Sequence, residues 1–360
     1  MHRPRLLPPG PPLGRPRVSV VVPCYNYGRY LPGCVASVLS QEGVDVEVVV
    51  VDDASPDGSV AVADRLAAAD TRVRVVKHSV NQGHIATYND GLDVVTGDYL
   101  LLLSADDALP PGALARATAL LSRHPEVGLV YGPAVTFSDD PPDLPPASAS
   151  SWAVWPGREW LTDRCATGQN VVDCPAAVMR TDVYRRVGPY RSTLPHGADL
   201  AMWLAAAQVS DVAYVRGAPQ AFYRVHELSM SRSTYHLFTT DGIVRDLEEK
   251  RQCFDEVLDA RSVSDGLAAR ARRALADQAL GIALRTFVWG TASTWPVEEL
   301  ERFATRTDPA SPASRRGRAL RRRCRIGPAR ARRHPLLLPR EVADKGFERF
   351  RAWRREAAGL

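Results

Sequence analysis

Four short stretches of the 360-residue sequence carry side chains that could do chemistry. Asp52-Asp53 follows the apolar run VEVVVV. A carboxylate at that point can accept hydrogen bonds from a ribose hydroxyl or a base N–H, or it can cap the turn before Ser59. Asp106-Asp107 follows YLLLLSA, where apolar residues end abruptly in two adjacent acids. Adjacent like charges repel unless donors or a cation compensate them. Mg²⁺ or Mn²⁺ suits such a place, because hard cations prefer carboxylate oxygens and bind phosphates at the same time. Helix capping ahead of Pro110-Pro111 is the plainer alternative. Asp199 stands in HGADLAMWLAAA, at the first turn of a helix that turns Leu200, Trp203 and Leu204 inward. It could be a general base or simply a charge favoured by the helix dipole. Tyr223-Arg224-Val225-His226, with Ser229 and Ser231 downstream, gains weight only beside a metal, where imidazole is a common ligand.

These residues need elements to hold them. Val18–Val22 is a short β-branched run that suits a buried parallel strand, and Val44–Val51, Val73–Lys77, Tyr99–Leu103 and Val127–Tyr131 read the same way. Between them, Arg29–Gln41, Ser59–Ala69, Ile85–Val95 and Pro111–Ser122 have helical spacing. This alternation predicts βαβ units in an α/β fold, a mostly parallel sheet flanked by helices. Ligands of such sheets sit beyond the carboxyl ends of the strands. The sequence sets Pro23-Cys24-Tyr25-Asn26, Asp52-Asp53 and Asp106-Asp107 at those ends. Residues 138–151, with four prolines, read as a surface loop. A mixed α/β pattern follows to about Ser233, and Gly242–Leu258 and Leu267–Trp289 have helical spacing.

Composition narrows the class. Apolar residues make up 45% and charged residues 24%, enough for a real core and too ordered in pattern for general disorder. No apolar run approaches the ~18 residues of a membrane-spanning helix. Six scattered cysteines without a C-x-x-C pair argue against a zinc knuckle and a disulfide framework, and suggest a reducing, cytoplasmic setting. The first 16 residues have charge and proline but no apolar stretch, and are expected to form a disordered leader rather than a secretory signal. Charge is uneven: residues 241–360 hold 26 basic and 17 acidic side chains, whereas residues 1–240 hold 20 and 24. Arg315–Arg333 packs ten arginines into nineteen residues without an acid. That run suits an anionic lipid surface or a solvated, partly disordered tail. Nucleic acid is not expected as a partner, because almost no aromatics interleave with the arginines.

Taken in order, VSVVVPCYNYGRYL, VEVVVVDDASPDGS, NQGHIATYNDGL, GDYLLLLSADD, GADLAMW and FYRVHELSMS resemble the family 2 glycosyltransferases, over roughly residues 17–235. The resemblance implies a GT-A fold, Rossmann-like, and an inverting transferase that moves a sugar from a nucleotide-diphosphate donor to an acceptor hydroxyl. It implies that Pro23, Tyr25, Asn26 and Asp53 hold the nucleobase and ribose, with Gly83 and His84 near the donor. It sets Asp106 and Asp107 where the family's acidic motif binds ribose and, through Mn²⁺ or Mg²⁺, the diphosphate, with His226 helping at the metal. Asp199 matches the general base four residues before a Trp. Three departures stand out: Ser104 replaces an acid at the metal turn, Tyr88 replaces an arginine before Asn89, and Ala198 replaces a glutamate before the base.

The expected organisation is a leader over 1–16, a transferase domain over 17–235 and a helical extension over 236–310, then an Arg-rich tail over 311–360. Within the transferase domain, 17–137 would be the nucleotide-binding half and 152–235 the acceptor half. The acceptor would be a glycan, a lipid-linked molecule or a small molecule, in polysaccharide, glycolipid or natural-product synthesis, with possible contact at the inner face of a membrane. A sugar nucleotidyltransferase is the competing enzyme class, but PCYNYGRY lacks the glycine-rich basic loop it needs. A basic-tailed binding protein with a degenerate site predicts that the acids would not converge. No G-x-G-x-x-G follows the first strand, which disfavours an NAD oxidoreductase.

Overall fold

A computed structural model describes residues 2–227, 229–230, 239–259, 266–289, 291 and 294–332. The main sheet has nine strands: β1 (Arg5–Leu7), β2 (Arg17–Cys24), β3 (Asp45–Asp52), β4 (Val73–Lys77), β5 (Tyr99–Leu102), β6 (Val127–Tyr131), β8 (Ser151–Trp155), β9 (Val178–Arg180) and β10 (Asp211–Arg216). A two-stranded sheet pairs β7 (Ala134–Phe137) with β11 (Ala221–Arg224). The main order is β1-β8-β10-β6-β9-β5-β2-β3-β4. Only β8 and β9 run against the other strands of this sheet.

The continuous valine and leucine runs are explained by burial on both faces. Successive strand side chains point to opposite sides. Val20, Val22, Val48, Val50 and Leu101 pack on one face with α1 (Leu31–Leu39), α2 (Ser59–Ala69) and α4 (Ala113–Arg123). Val21, Val49, Val51, Leu100 and Leu102 pack on the other with α3 (His84–Asp93), α5 (Gly157–Thr167), α6 (Thr181–Val187) and α7 (Ala198–Ala207). The helices Thr240–Asp259 and Leu267–Trp289 join that second core through Leu247, Phe254, Leu275 and Ala279. The extension is therefore built into the packing of the sheet.

Two expectations need correction. The first residues are not a disordered leader: Arg5, Leu6 and Leu7 pair antiparallel with Val154, Ala153 and Trp152, and the His2 backbone N–H donates to Asp163 Oδ2 at 2.7 Å. The open edge of β8 is a ready template for a backbone ladder, which needs no apolar periodicity to show in the sequence. The arginine run is also more ordered than a loose tail. Arg315–Ile326 is a helix capped by Ser314, and Leu320 is fully buried. Arg316 bonds Asp277, and Arg323 donates to the Leu284 carbonyl at 3.0 Å, docking the run on the helix Leu267–Trp289. Arginine is a good helix former whose long stem can pack while its head finds acceptors. Ser231, Arg333 and the remainder of the tail lie outside the described residues.

Gly91, in the middle of α3, shows how closely that helix lies on the sheet. A Cβ there would overlap Val21 and come within 2.8 Å of Val51 Cγ2. Gly91→Ala should lower stability by about 1–3 kcal/mol through overpacking, despite its gain in helix propensity. Urea denaturation checks this, and an unchanged midpoint would show that α3 can lift away without cost.

Candidate active site

The chain ends of β2 and β3 are tied to each other. The Asn26 backbone N–H donates to Ser55 Oγ at 3.1 Å, and the Ser55 backbone N–H donates to Asp52 Oδ2 at 3.0 Å. Asn26 and Ala54 both have positive φ, 60° and 56°. For Ala54 that conformation costs roughly 1 kcal/mol, and such strain gathers at functional sites.

Asp53 is buried at the end of β3, and its carboxylate is already engaged. Oδ1 accepts the Gln82 backbone N–H at 2.7 Å and lies 2.8 Å from His78 Nδ1, while Oδ2 accepts the Gly83 backbone N–H at 2.9 Å. Burial alone would push its pKa up, but the donors from Gln82, His78 and Gly83 hold it below the usual carboxylate range. Gly83, with φ of 84°, takes a conformation that other residues resist and starts α3 at His84. His84 Nε2 in turn lies 2.8 Å from the Pro195 carbonyl.

A cavity of about 430 Å³ opens beside these loops. Asp106 and Asp107 reach it from the end of β5, His84 from the start of α3, and Asp199 from the first turn of α7. Tyr27, Asp173 and Arg224 also line it. Pro23, Tyr25, Asn26, Asp53 and Gly83 lie outside its walls. Tyr25 and Asn26 are exposed, and Pro23 is half-buried.

The acid pair is held from β11. The Arg224 backbone N–H donates to Asp107 Oδ1 at 2.8 Å, and its Nε donates to the Asp106 carbonyl at 2.9 Å. The guanidinium is sandwiched 4.4 Å from the Tyr30 ring and 4.3 Å from the Phe137 ring, and also donates to the carbonyls of Ser138 and Asp139. His226 Nε2 lies 3.0 Å from Asp106 Oδ2, with its ring between Tyr27 and Tyr30 at 5.7 and 5.8 Å. Burial, then the neighbouring Asp106, push the Asp107 carboxyl well above the usual range. Desolvation and a like charge both disfavour its ionised form.

The fit of a divalent cation can be judged from these donors. Asp106 and Asp107 are hard oxygen ligands side by side, and His226 Nε2, 3.0 Å from Asp106 Oδ2, is the ring nitrogen that faces Asp106. Among the described residues, no three His, Cys, Asp or Glu side chains already converge as a cage. A cation here would complete its shell with oxygens of a bound phosphate, as hard cations do. The residues fit that group.

Asp199 is half-buried near the Cys174 thiol, which itself donates to the Leu102 carbonyl at 3.7 Å. Desolvation raises its pKa to about 6, against the lowering effects of Cys174 and His196. Sequence reading missed the roles of Arg224, Tyr27 and Asp173, and of Lys250 on the cavity wall. Arg224 stood inside a motif already quoted, and a buried arginine before the histidine was the available signal. Lys250 gave none, because its approach is set by the packing of a distant helix.

The comparisons with known proteins bear on the family and the fold. The profile of glycosyl transferase family 2 matches residues 19–188. An uncharacterized protein of Mycobacterium tuberculosis is 30% identical over 247 residues, covering 63% of this chain and 70% of that protein. The PGL/p-HBAD biosynthesis glycosyltransferase of the same species is 29% identical over 180 residues, covering 49% of this chain and 64% of its own length. Among solved structures, the mannosyltransferase PcManGT from Pyrobaculum calidifontis, in complex with GDP-Man and Mn²⁺, has a TM-score of 0.52 at 19% identity, covering 98% of this chain and 86% of that one. S. aureus TarS 1–349 in complex with UDP-GlcNAc has a TM-score of 0.50 at 16% identity, covering 85% and 92%. The fold is that of the GT-A glycosyltransferases. The chain belongs to glycosyltransferase family 2.

Asp53→Asn leaves three donors facing a single acceptor oxygen and should destabilise the fold by about 1–3 kcal/mol at neutral pH. Because the Asp53 pKa is lowered in the folded state, its contribution is present above the unfolded value and fades as pH falls through the folded one. The variant should therefore lose part of the wild-type acid sensitivity below about pH 4. Thermal midpoints across pH 2.5–7, roughly spanning that range, check this; parallel curves for both proteins would contradict it.

Proposed function

We propose that this chain transfers a sugar, with inversion, from a nucleotide-diphosphate donor to an acceptor hydroxyl, with Asp199 as general base. The observation that carries the proposal is that Asp106, Asp107 and Asp199, far apart in sequence, line one cavity. Pro23, Tyr25 and Asn26 form the nucleoside side, and Asp53 shapes it through the Gln82-Gly83 loop and His84. Asp106, Asp107 and His226 are the residues that would hold Mn²⁺ or Mg²⁺, which when bound supplies positive charge against the departing diphosphate.

Asp199 accepts the proton of the acceptor hydroxyl as its oxygen bonds to the anomeric carbon, and the bond from that carbon to the diphosphate breaks. With a pKa of about 6 the carboxylate is mostly ionised at neutral pH and still basic enough to take that proton. Arg224 keeps the acid pair in place throughout. Its guanidinium is committed to carbonyls and rings, so it stays fixed while charge moves nearby.

The reading divides the chain into a transferase domain over 17–235, a helical extension over 236–310 and an Arg-rich region beyond it. Arg315, Arg318, Arg322 and Arg325 are exposed along the helix Arg315–Ile326. This stripe suits an anionic membrane face at ~1 kcal/mol per residue, which would bring a cytoplasmic enzyme to a lipid-linked acceptor. No described helix is long and apolar enough to cross a membrane. Replacing all four by Gln should abolish co-sedimentation with phosphatidylglycerol vesicles; equal sedimentation would remove the lipid reading.

A screen of UDP-, GDP- and dTDP-sugars with Mn²⁺ or Mg²⁺, following nucleotide release, tests the activity. With the active donor, Asp199→Asn should lose about 10²–10⁴-fold in kcat, the usual worth of a general base, with donor KM little changed. The wild-type rate should fall as pH drops below about 6, where Asp199 becomes protonated. Wild-type turnover in the variant, or a rate flat through that pH, would remove the base assignment.

A further inference from the structure

The helix Thr240–Asp259 touches the rest of the molecule where Asp199 is presented. Four of its residues, Asp246, Glu249, Lys250 and Cys253, recur at intervals of three, one and three, which places them on one helical face. Glu249 Oε2 accepts two consecutive backbone amides, His196 and Gly197, each at 2.9 Å. Cys253 Sγ donates to the Gly197 carbonyl at 3.2 Å. Asp246 Oδ1 lies 3.1 Å from His196 Nε2, and its other oxygen accepts Lys250 Nζ at 2.6 Å. His196 and Gly197 are the two residues before α7, on which Asp199 is the second residue. The approach is so close that a Cβ on Gly197 would overlap Cys253 Sγ. Gly197 has a φ of −87°, which any residue can adopt, so the glycine is required by contact and not by backbone conformation.

We infer that this helix is a positioning element for the general base, with Glu249 as its main positioning residue. The inference rests on the reading of Asp199 given above. The first amides of a helix have no partner within the helix, and they follow whichever acceptor holds them. Here that acceptor comes from outside the segment matched by the family profile, which ends at residue 188. Because His84 Nε2 meets the Pro195 carbonyl, the same clasp connects through His84 and Gly83 to Asp53.

The test compares Glu249→Ala, Glu249→Gln, Gly197→Ala, Gly197→Ala/Cys253→Ala and Asp199→Asn in the full chain. The readouts are kcat and donor KM with the donor found in the screen, and thermal shift by GDP and UDP with Mn²⁺. A base displaced by about 1 Å can cost on the order of 10²-fold in rate, so Glu249→Ala and Gly197→Ala should lower kcat by roughly 10- to 100-fold, with donor KM and nucleotide binding unchanged. Glu249→Gln keeps an oxygen able to accept both amides and should retain most of kcat. Cys253→Ala should restore the Gly197→Ala enzyme by removing the atom the new methyl meets. Wild-type kcat in Glu249→Ala, joint loss of kcat and nucleotide binding, or no rescue by Cys253→Ala would each overturn the inference. If Gly197→Ala does not fold, the Ala and Gln variants of Glu249 decide alone. Inactive Asp199→Asn beside fully active Glu249→Ala would defeat the positioning role and leave the base intact; active Asp199→Asn would defeat the base reading itself.

Discussion

Two carboxyl groups side by side, buried at the end of β5, are the constraint around which this molecule is organised. Taking even one carboxylate out of water is costly, and a second beside it adds repulsion. Only part of that is offset by the protein itself. The Arg224 amide meets Asp107, His226 meets Asp106, and the Arg224 guanidinium is turned toward carbonyls and away from a direct ion pair with either acid. Burial, then Asp106, still push the Asp107 carboxyl above its usual range. We propose that such a pair is kept for a partner that brings positive charge, a cation shared with a diphosphate.

The remainder of the fold delivers groups to that point. β2 and β3 bring their strained carboxyl ends beside β5, with Asn26 and Ala54 held at positive φ by cross-loop bonds. Asp53 anchors the loop that begins α3, and α3 brings His84 to the cavity. From the other side, the helix Thr240–Asp259 grips the residues before α7 and so fixes where Asp199 stands.

What the sequence revealed and what it hid follow from the range of the interactions. Burial of the central strands on both faces made Val18–Val22 and Val44–Val51 plain, and the sudden change from leucine to aspartate marked the site edge at Asp106. Local helical spacing gave Leu267–Trp289 at its observed ends. β1 was invisible because it is held by backbone pairing to β8, about 145 residues away, a ladder that imposes little on side-chain type. β9, three residues long and inserted antiparallel between β5 and β6, is too short to show a period. The docking of Arg315–Ile326 was hidden for a different reason: its arginines read as solvated charge, whereas Arg316 and Arg323 donate to acceptors along a neighbouring helix. Arg224 donates to acceptors, and Glu249 accepts from amides, that are distant in sequence, roles that residue type alone does not announce.

The claim that the acid pair exists for a cation shared with a diphosphate is tested most directly by calorimetric titration of the wild-type chain with GDP and with UDP, in Mn²⁺ and in EDTA. The account predicts that one of the two nucleotides binds about tenfold or more tightly with Mn²⁺, at least ~1.4 kcal/mol of coupling. Equal affinity for both nucleotides with and without the metal would contradict it.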